Sequence, residues 1–275
     1  MRAAVIFGLG SREKDLRPFR AGSDASWVIG LPASSSEVDA ILVFGGDGTV
    51  HRHLAQLVRL QLPVLVVPCG SGNDFARALS LNSWKDSLAA WREFASGAGK
   101  VRAIDLGIIN GHYFCCVGGV GLDGQVSRRA NRLPRWLRGH GGYAVSLPAA
   151  LFRFVPLPMK ISVPDGERSG SFVLAAFANT PFFGGGMKIA PQAQVDDGQL
   201  DLCIVGEMNK FRLFCLFPTV YFGKHLSMEE VQYSRTVRLR IETETPLDVY
   251  ADGEYVCQTP IEAGVEPGAL RVIVL

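Results

Sequence analysis

Short runs of consecutive apolar residues, each ending in glycine, organise the first third of the chain. Residues 3–7 run into Gly8-Leu9-Gly10-Ser11. Residues 40–44 stop abruptly at Gly45-Gly46-Asp47-Gly48-Thr49, and residues 63–68 end in Cys69-Gly70-Ser71-Gly72-Asn73. After the second glycine cluster, Val50, Leu54, Leu57 and Val58 recur on one face of a predicted helix. A second helix is predicted over residues 74–79. An apolar run without alternation marks a strand covered on both faces. Such strands alternating with helices predict a parallel sheet.

Beyond about residue 105 the texture changes. Short β-rich runs at 105–109, 113–117, 159–163, 172–178, 200–205, 237–242, 247–251 and 270–275 are separated by turn residues. This predicts a mainly antiparallel, sandwich-like unit. Residues 124–154 read as partly helical and basic, and no repeat of fixed period is present. The expected class is therefore α/β. An N-terminal parallel-sheet domain over residues 1–105 is followed by a β-rich domain over 106–275, a division that 275 residues can support.

Composition narrows the function. Apolar residues at 48% and charged residues at 20% exclude a wholly disordered chain. Twenty-eight basic against 26 acidic residues leave +2, so charge offers no argument for nucleic acid as a partner. Mean hydropathy of +0.18 leans towards an apolar substrate or membrane contact. The longest apolar stretch, 211–222, is interrupted by Arg212 and Pro218. It falls short of the roughly 20 residues a spanning helix needs. The N-terminal apolar run is too short for a secretion signal. Cysteines at 69, 115, 116, 203, 215 and 257 have no zinc-like spacing and read as reduced, mostly buried thiols of a cytoplasmic protein.

Glycines directly after a strand let the backbone approach a ligand, and the following helix aims its free N–H groups at the same place. A phosphate is the natural guest. An acid there repels phosphate unless a metal or a hydroxyl intervenes, so Asp47 points to a Mg²⁺ relay or a hydroxyl acceptor. The plain alternative is a turn in which Asp47 caps its helix, with Asn73 or Asp74 doing the same for the next. Two such loops on successive strands would lie side by side at the C-terminal edge of the sheet, where ligands of open α/β folds gather. Neither loop carries the Gly-Lys-Ser/Thr element of a Walker motif.

Gly-Gly-Asp-Gly-Thr followed by Pro-Cys-Gly-Ser-Gly-Asn-Asp-Phe-Ala-Arg resembles the diacylglycerol kinase catalytic domain family, which includes soluble bacterial lipid kinases and sphingosine kinases. The resemblance continues through Asp105-Leu106-Gly107, residues 118–123, Asn179-Thr180-Pro181, Gly184 to Gly186, residues 190–201 and Asp252-Gly253-Glu254. It implies a nucleotide-binding α/β domain joined to a β-sandwich-like domain with the site in the cleft, and an ATP- and Mg²⁺-dependent kinase acting on a lipid hydroxyl. By resemblance Gly45, Gly46, Asp47, Gly48, Thr49, Gly70, Ser71, Gly72, Asn73 and Asp74 bind the nucleotide, with Asp47 and Asp74 organising a Mg²⁺–water network. Asp252 or Glu254 would take the lipid proton, the glutamate position being the family's usual acceptor. The turn at 196–198 would hold a structural Mg²⁺ through the Asp197 carboxylate and the carbonyls of Gln194 and Gln199; the alternative is an ordinary Asp-Gly turn.

Arg128, Arg129, Arg132, Arg135 and Arg138, interleaved with Leu133, Trp136 and Leu137, are either a solvated basic face or a membrane-surface patch. Phe182, Phe183 and residues 152–155 are core or the lining of a lipid groove. The lipid substrate would be met at a membrane surface, and family members can pair, which makes a homodimer an expectation too. Three departures stand out. The first loop lacks the family's Asn-Pro, His51-Arg52 replaces a common Asn-Glu, and residues 11–39 are few for the helix, strand and helix expected there. NAD phosphorylation and ligand binding without catalysis are the rival readings.

Overall fold

A computed structural model of the chain describes residues 1–122 and 154–275. The four N-terminal strands are β1 (Arg2–Phe7), β2 (Ser26–Ile29), β3 (Ala40–Gly45) and β4 (Val64–Pro68). They pair in parallel in the order β4-β3-β1-β2, with Ala3 opposite Ala40 and Val43 opposite Val66. Every residue of β3 is buried, as an unalternating apolar run requires. Four helices accompany them: α1 (Arg17–Arg20), α2 (Asp47–Leu60), α3 (Asp74–Ala78) and α4 (Trp84–Ala95). Val50, Leu54, Leu57 and Leu60 form the buried stripe of α2. The short stretch between the first two glycine loops contains its expected helix, strand and helix after all. The helices are reduced to short turns, a 3₁₀ turn at Glu13–Leu16 running into α1 and another at Ser35–Glu37, and the strand β2 has four residues.

The rest is antiparallel with one exception. β5 (Lys100–Ile109), β6 (His112–Phe114), β7 (Val117–Gly121), β8 (Leu157–Val163), β9 (Gly166–Ala178), β10 (Leu200–Gly206), β11 (Val231–Thr236), β12 (Arg238–Glu242), β13 (Asp248–Ala251), β14 (Glu254–Gln258) and β15 (Ile261–Val274) complete the set, with α5 (Lys210–Val220) after β10. β15 lies antiparallel to β5 and β12, yet Val272 pairs in parallel with Val64 of β4. The C-terminal strand therefore joins the two sheets. It is longer than the expected 270–275 because Gly264, Pro267 and Gly268 break up the apolar pattern of its first half. The expected strand at 113–117 is two strands divided at Cys115-Cys116.

Alternation on β10 feeds two cores. Leu200, Leu202 and Ile204 enter a core with Phe114, Phe177, Ile161 and Ile261. Cys203 and Val205 face the larger core, where Leu213, Leu216 and Val220 of α5 also pack. All six cysteines are free. Cys115, Cys116 and Cys203 are buried, Cys69 and Cys257 half-buried, and Cys215 is exposed, fewer buried than expected. The five arginines at 128–138 with Leu133, Trp136 and Leu137, and Phe152, lie outside the described residues. Phe154 is core and Val155 exposed; Phe183 packs on the core, and Phe182 is half-buried beneath the Arg77 guanidinium at 5.5 Å.

Candidate active site

Three glycine loops meet at the C-terminal edge of β1, β3 and β4. A Cβ on Gly70 would stand 2.5 Å from the Gly46 Cα, so only paired glycines allow the second and third loops to touch backbone to backbone. A Cβ on Gly10 would stand 2.6 Å from the Cys69 carbonyl, which brings the first loop against the third. The Ser11 hydroxyl donates to the Phe44 carbonyl at 2.6 Å. That serine fastens the loop to the sheet.

The acids act across loops. Asp47 opens α2 but caps α3: its Oδ2 accepts from the Asp74 N–H at 3.0 Å and its Oδ1 from the Phe75 N–H at 2.9 Å. Asp47 is thus a cap, as the plain alternative had it, but of the neighbouring helix. Asn73, at a left-handed φ of 54°, does not cap α3. Its side chain instead clasps Gly70, accepting from the amide at 2.9 Å and donating to the carbonyl at 2.8 Å. Asp74 is buried, paired with Arg77, and accepts from the Gly185 N–H at 2.7 Å. This ties the third loop to the glycine turn Gly184 to Gly186. Burial first, then the Asp74 charge, raise the Asp47 pKa to about 6 despite the two N–H donors. Burial also raises Asp74, against the pull of Gly185 and Arg77. Gly45, Gly46, Gly48, Thr49, Ser71 and Gly72 line the same edge, with Ser71 exposed.

From the other sheet, the turn between β13 and β14 brings in Asp252 and Glu254. The Asp252 side chain is 0% exposed. It accepts from the amides of Cys115 at 2.9 Å, Cys116 at 2.7 Å and Val117 at 3.3 Å. His51 Nδ1 on α2 meets it at 2.9 Å. Burial lowers the His51 pKa, but the bond and charge of Asp252, with the charge of Glu254, outweigh it and leave the pKa raised. Glu254 has no such clasp: its Oε1 lies 2.9 Å from where a Gly48 Cβ would stand, over the first turn of α2. His51, Arg77 and the Cys115–Val117 amides were not assigned site roles from sequence. Arg77 was readable as the i+3 partner of Asp74; Asp252 and Cys115 are too far apart in the chain for any local signal.

The Asp197 turn lies elsewhere. Asp197 Oδ1 accepts from the Gln199 amide at 3.1 Å, while its Oδ2 is buried without a hydrogen-bond partner, and so is Oδ2 of Asp201. Arg235 approaches both, at 3.9 Å from Asp197 and 3.5 Å from Asp201. Gln194 is exposed on the same turn. Asp105 acts as a buried brace, accepting from Gly198 at 2.7 Å and Gly268 at 2.8 Å. Two orphaned carboxylate oxygens suit a hard cation.

Glycine loops, crowded acids and an acid from the opposite sheet accord with what sequence comparison returns. The diacylglycerol kinase catalytic domain model matches residues 24–109, and the YegS C-terminal NAD kinase beta sandwich-like domain model matches 117–274. A diacylglycerol kinase of Mycobacterium tuberculosis is 36% identical over 254 residues, covering 88% of this chain and 78% of that protein. The chain belongs to the diacylglycerol kinase family. A diacylglycerol kinase of Bacillus subtilis is 28% identical over 232 residues, covering 84% of this chain and 76% of that one. Among solved structures, a diacylglycerol kinase from Bacillus anthracis has a TM-score of 0.72 at 22% identity, covering 100% of this chain and 97% of that one. An NAD kinase from Archaeoglobus fulgidus in complex with ATP has a TM-score of 0.53 at 13% identity, covering 100% and 93%. At those identities the likeness is one of fold: this family member shares the mixed α/β and antiparallel architecture.

Proposed function

We propose that this protein is an ATP- and Mg²⁺-dependent kinase that phosphorylates the free hydroxyl of a diacylglycerol-like or sphingoid lipid. The observation that carries the reading is the position of Glu254, an unclasped carboxylate over Gly48 in the first turn of α2. Residues 1–105 hold the nucleotide and residues 106–275 the lipid. Backbone amides of residues 45–49 and 70–73 bind the phosphates, helped by the N-terminal field of α2. Asp47 and Asp74 would hold the metal–water network, which would supply positive charge beside the transferring phosphoryl group. Their crowding is consistent with that role, since a nearby dication relieves the repulsion that raises Asp47. Gln194, Asp197 and Gln199 would hold a second, structural cation.

Glu254 accepts the lipid hydroxyl proton as the oxygen attacks the γ-phosphorus and the bond to ADP breaks. Asp252, with its lone pairs taken by three amides and His51, sets the turn that carries Glu254. The enzyme works in the cytoplasm, as a peripheral protein at the membrane surface. The test is transfer of labelled γ-phosphate from ATP·Mg²⁺ to a panel of lipids in mixed micelles, with NAD alongside. Label in a diacylglycerol or sphingoid base supports the reading. Label in NAD alone, or ATP binding with no transfer to any acceptor, overturns it.

A further inference from the structure

Helix α5 is apolar on both faces. Leu213, Leu216 and Val220 are buried against the core. On the other side, Phe211 is 76% exposed, Phe214 50% and Phe222 72%, with Cys215, Pro218 and Tyr221 also exposed. Positions 211, 214, 215 and 218 follow helical spacing and form one stripe, and Phe222 lies in the turn directly after the helix. Water does not favour such a stripe.

Charge says what covers it. From 208 to 228 the chain carries Lys210, Arg212 and Lys224 and no Asp or Glu, with Glu207 and Glu229 exposed just outside that span. Arg212 is held by Glu230 at 3.0 Å, while Lys210 and Lys224 are exposed at opposite ends of the stripe. Two copies pairing about a two-fold axis with α5 antiparallel would set Lys210 of one against Lys224 of the other. An anionic lipid surface meets the same cations with opposite charge, and Phe rings insert at its interface. No helix among the described residues is long or apolar enough to cross a membrane, so the contact is peripheral.

The stripe also leads to the active site. The Val220 carbonyl accepts from the Lys188 amide at 3.0 Å, and Gly223 packs on Pro191. Lys188 follows the Phe183–Met187 bridge that frames the glycine turn bonded to Asp74. Burial, and after it the Asp74 charge, raise the pKa of Tyr221 at the end of α5.

We propose that the exposed face of α5, from Phe211 to Phe222 with Lys210 and Lys224, docks the protein on an anionic lipid bilayer beside the mouth of the active site. This rests on the lipid-kinase reading for its purpose but not for its test. Phe211→Ser/Phe222→Ser removes two exposed rings without touching the core. Flotation with phosphatidylcholine/phosphatidylglycerol vesicles is expected to show binding by the native chain. The double variant should bind at least about tenfold more weakly, with an unchanged melting temperature. Lys210→Glu/Lys224→Glu should weaken binding to those vesicles, with pure phosphatidylcholine vesicles as the uncharged comparison.

Kinase assays separate the two proposals. On a short-chain diacylglycerol dissolved as monomers, the double Phe variant should match the native chain; on vesicle-borne diacylglycerol it should fall behind. Vesicle binding lost with the rings, but no kinase activity in either chain, supports the docking face and overturns the kinase reading. Equal vesicle binding by native and variant chains overturns the docking face, whatever the activity. So does a variant that turns a dimer into a monomer while still binding vesicles, because the stripe is then a self-association surface.

Discussion

At the scale of single residues, two neighbouring acids do different work. Asp252 has an acceptor's full load of buried donors, from three backbone amides and His51, whereas Glu254 lies over Gly48. Asp252→Ala leaves three amides without their acceptor and is expected to cost about 3 kcal/mol of stability as well as activity. Glu254→Gln keeps the fold, so its melting temperature should stay within a degree or so of native, while turnover falls about 100-fold or more. Thermal melts and initial rates on the purified variants check both. Asp47 adds a pH signature. Its pKa is raised from 3.8 to about 6 in the fold, so the folded state holds that proton more tightly than the unfolded chain. Its contribution to stability is whole below 3.8 and is lost as pH rises through about 6. Melting curves of metal-free protein across that window should show this loss. Asp47→Asn should flatten that part of the profile, and added Mg²⁺ should stabilise the native chain more above the window than below it. An unchanged slope in Asp47→Asn would contradict the assignment of that proton.

At the scale of elements, the close approach of two loops shapes the proposed nucleotide site. Gly70→Ala places a methyl 2.5 Å from the Gly46 Cα, backbone that cannot swing aside. ATP binding, followed by calorimetry, should weaken about 100-fold while the far sheet is unaffected. What could be read from sequence follows the same logic. Residues 40–44 announced β3 because a doubly covered strand has no polar positions, and the glycines announced the loops because backbone contact tolerates no side chain. Helix α4 went unread although Ser83 and Asp86 cap it reciprocally, the Asp86 carboxylate accepting from the Ser83 amide at 2.8 Å. Strands β2, β11 and β14 are short or polar and carried no run to detect. Asp47 as the cap of α3, and the clasp of Asp252 by Cys115, Cys116 and Val117, are made by residues distant in sequence. Nothing local encodes those pairings.

At the scale of the whole molecule, β15 joins the two sheets. Val272 is fully buried and pairs with β4, while Ala263 on the same strand pairs with β5 and β12. One strand serving both sheets couples their stability. Val272→Asp should destabilise both in one step, by about 4 kcal/mol or more, and near-UV and far-UV signals should fall together. Two separated transitions would show that the sheets unfold independently. In the strand order β15 stands between β4, which carries one glycine loop, and β12, from which β8, β9 and β7 lead to β13 and the Asp252 turn.

The most direct test of the account is transfer of radiolabelled γ-phosphate from ATP·Mg²⁺ to diacylglycerol in mixed micelles, by the native chain and by Glu254→Gln side by side. The account predicts labelled phosphatidic acid from the native protein and at least about 100-fold less from the variant at equal folded concentration. Equal transfer by both would remove Glu254 from the chemistry, and no transfer by the native chain to any lipid hydroxyl would contradict the kinase reading itself.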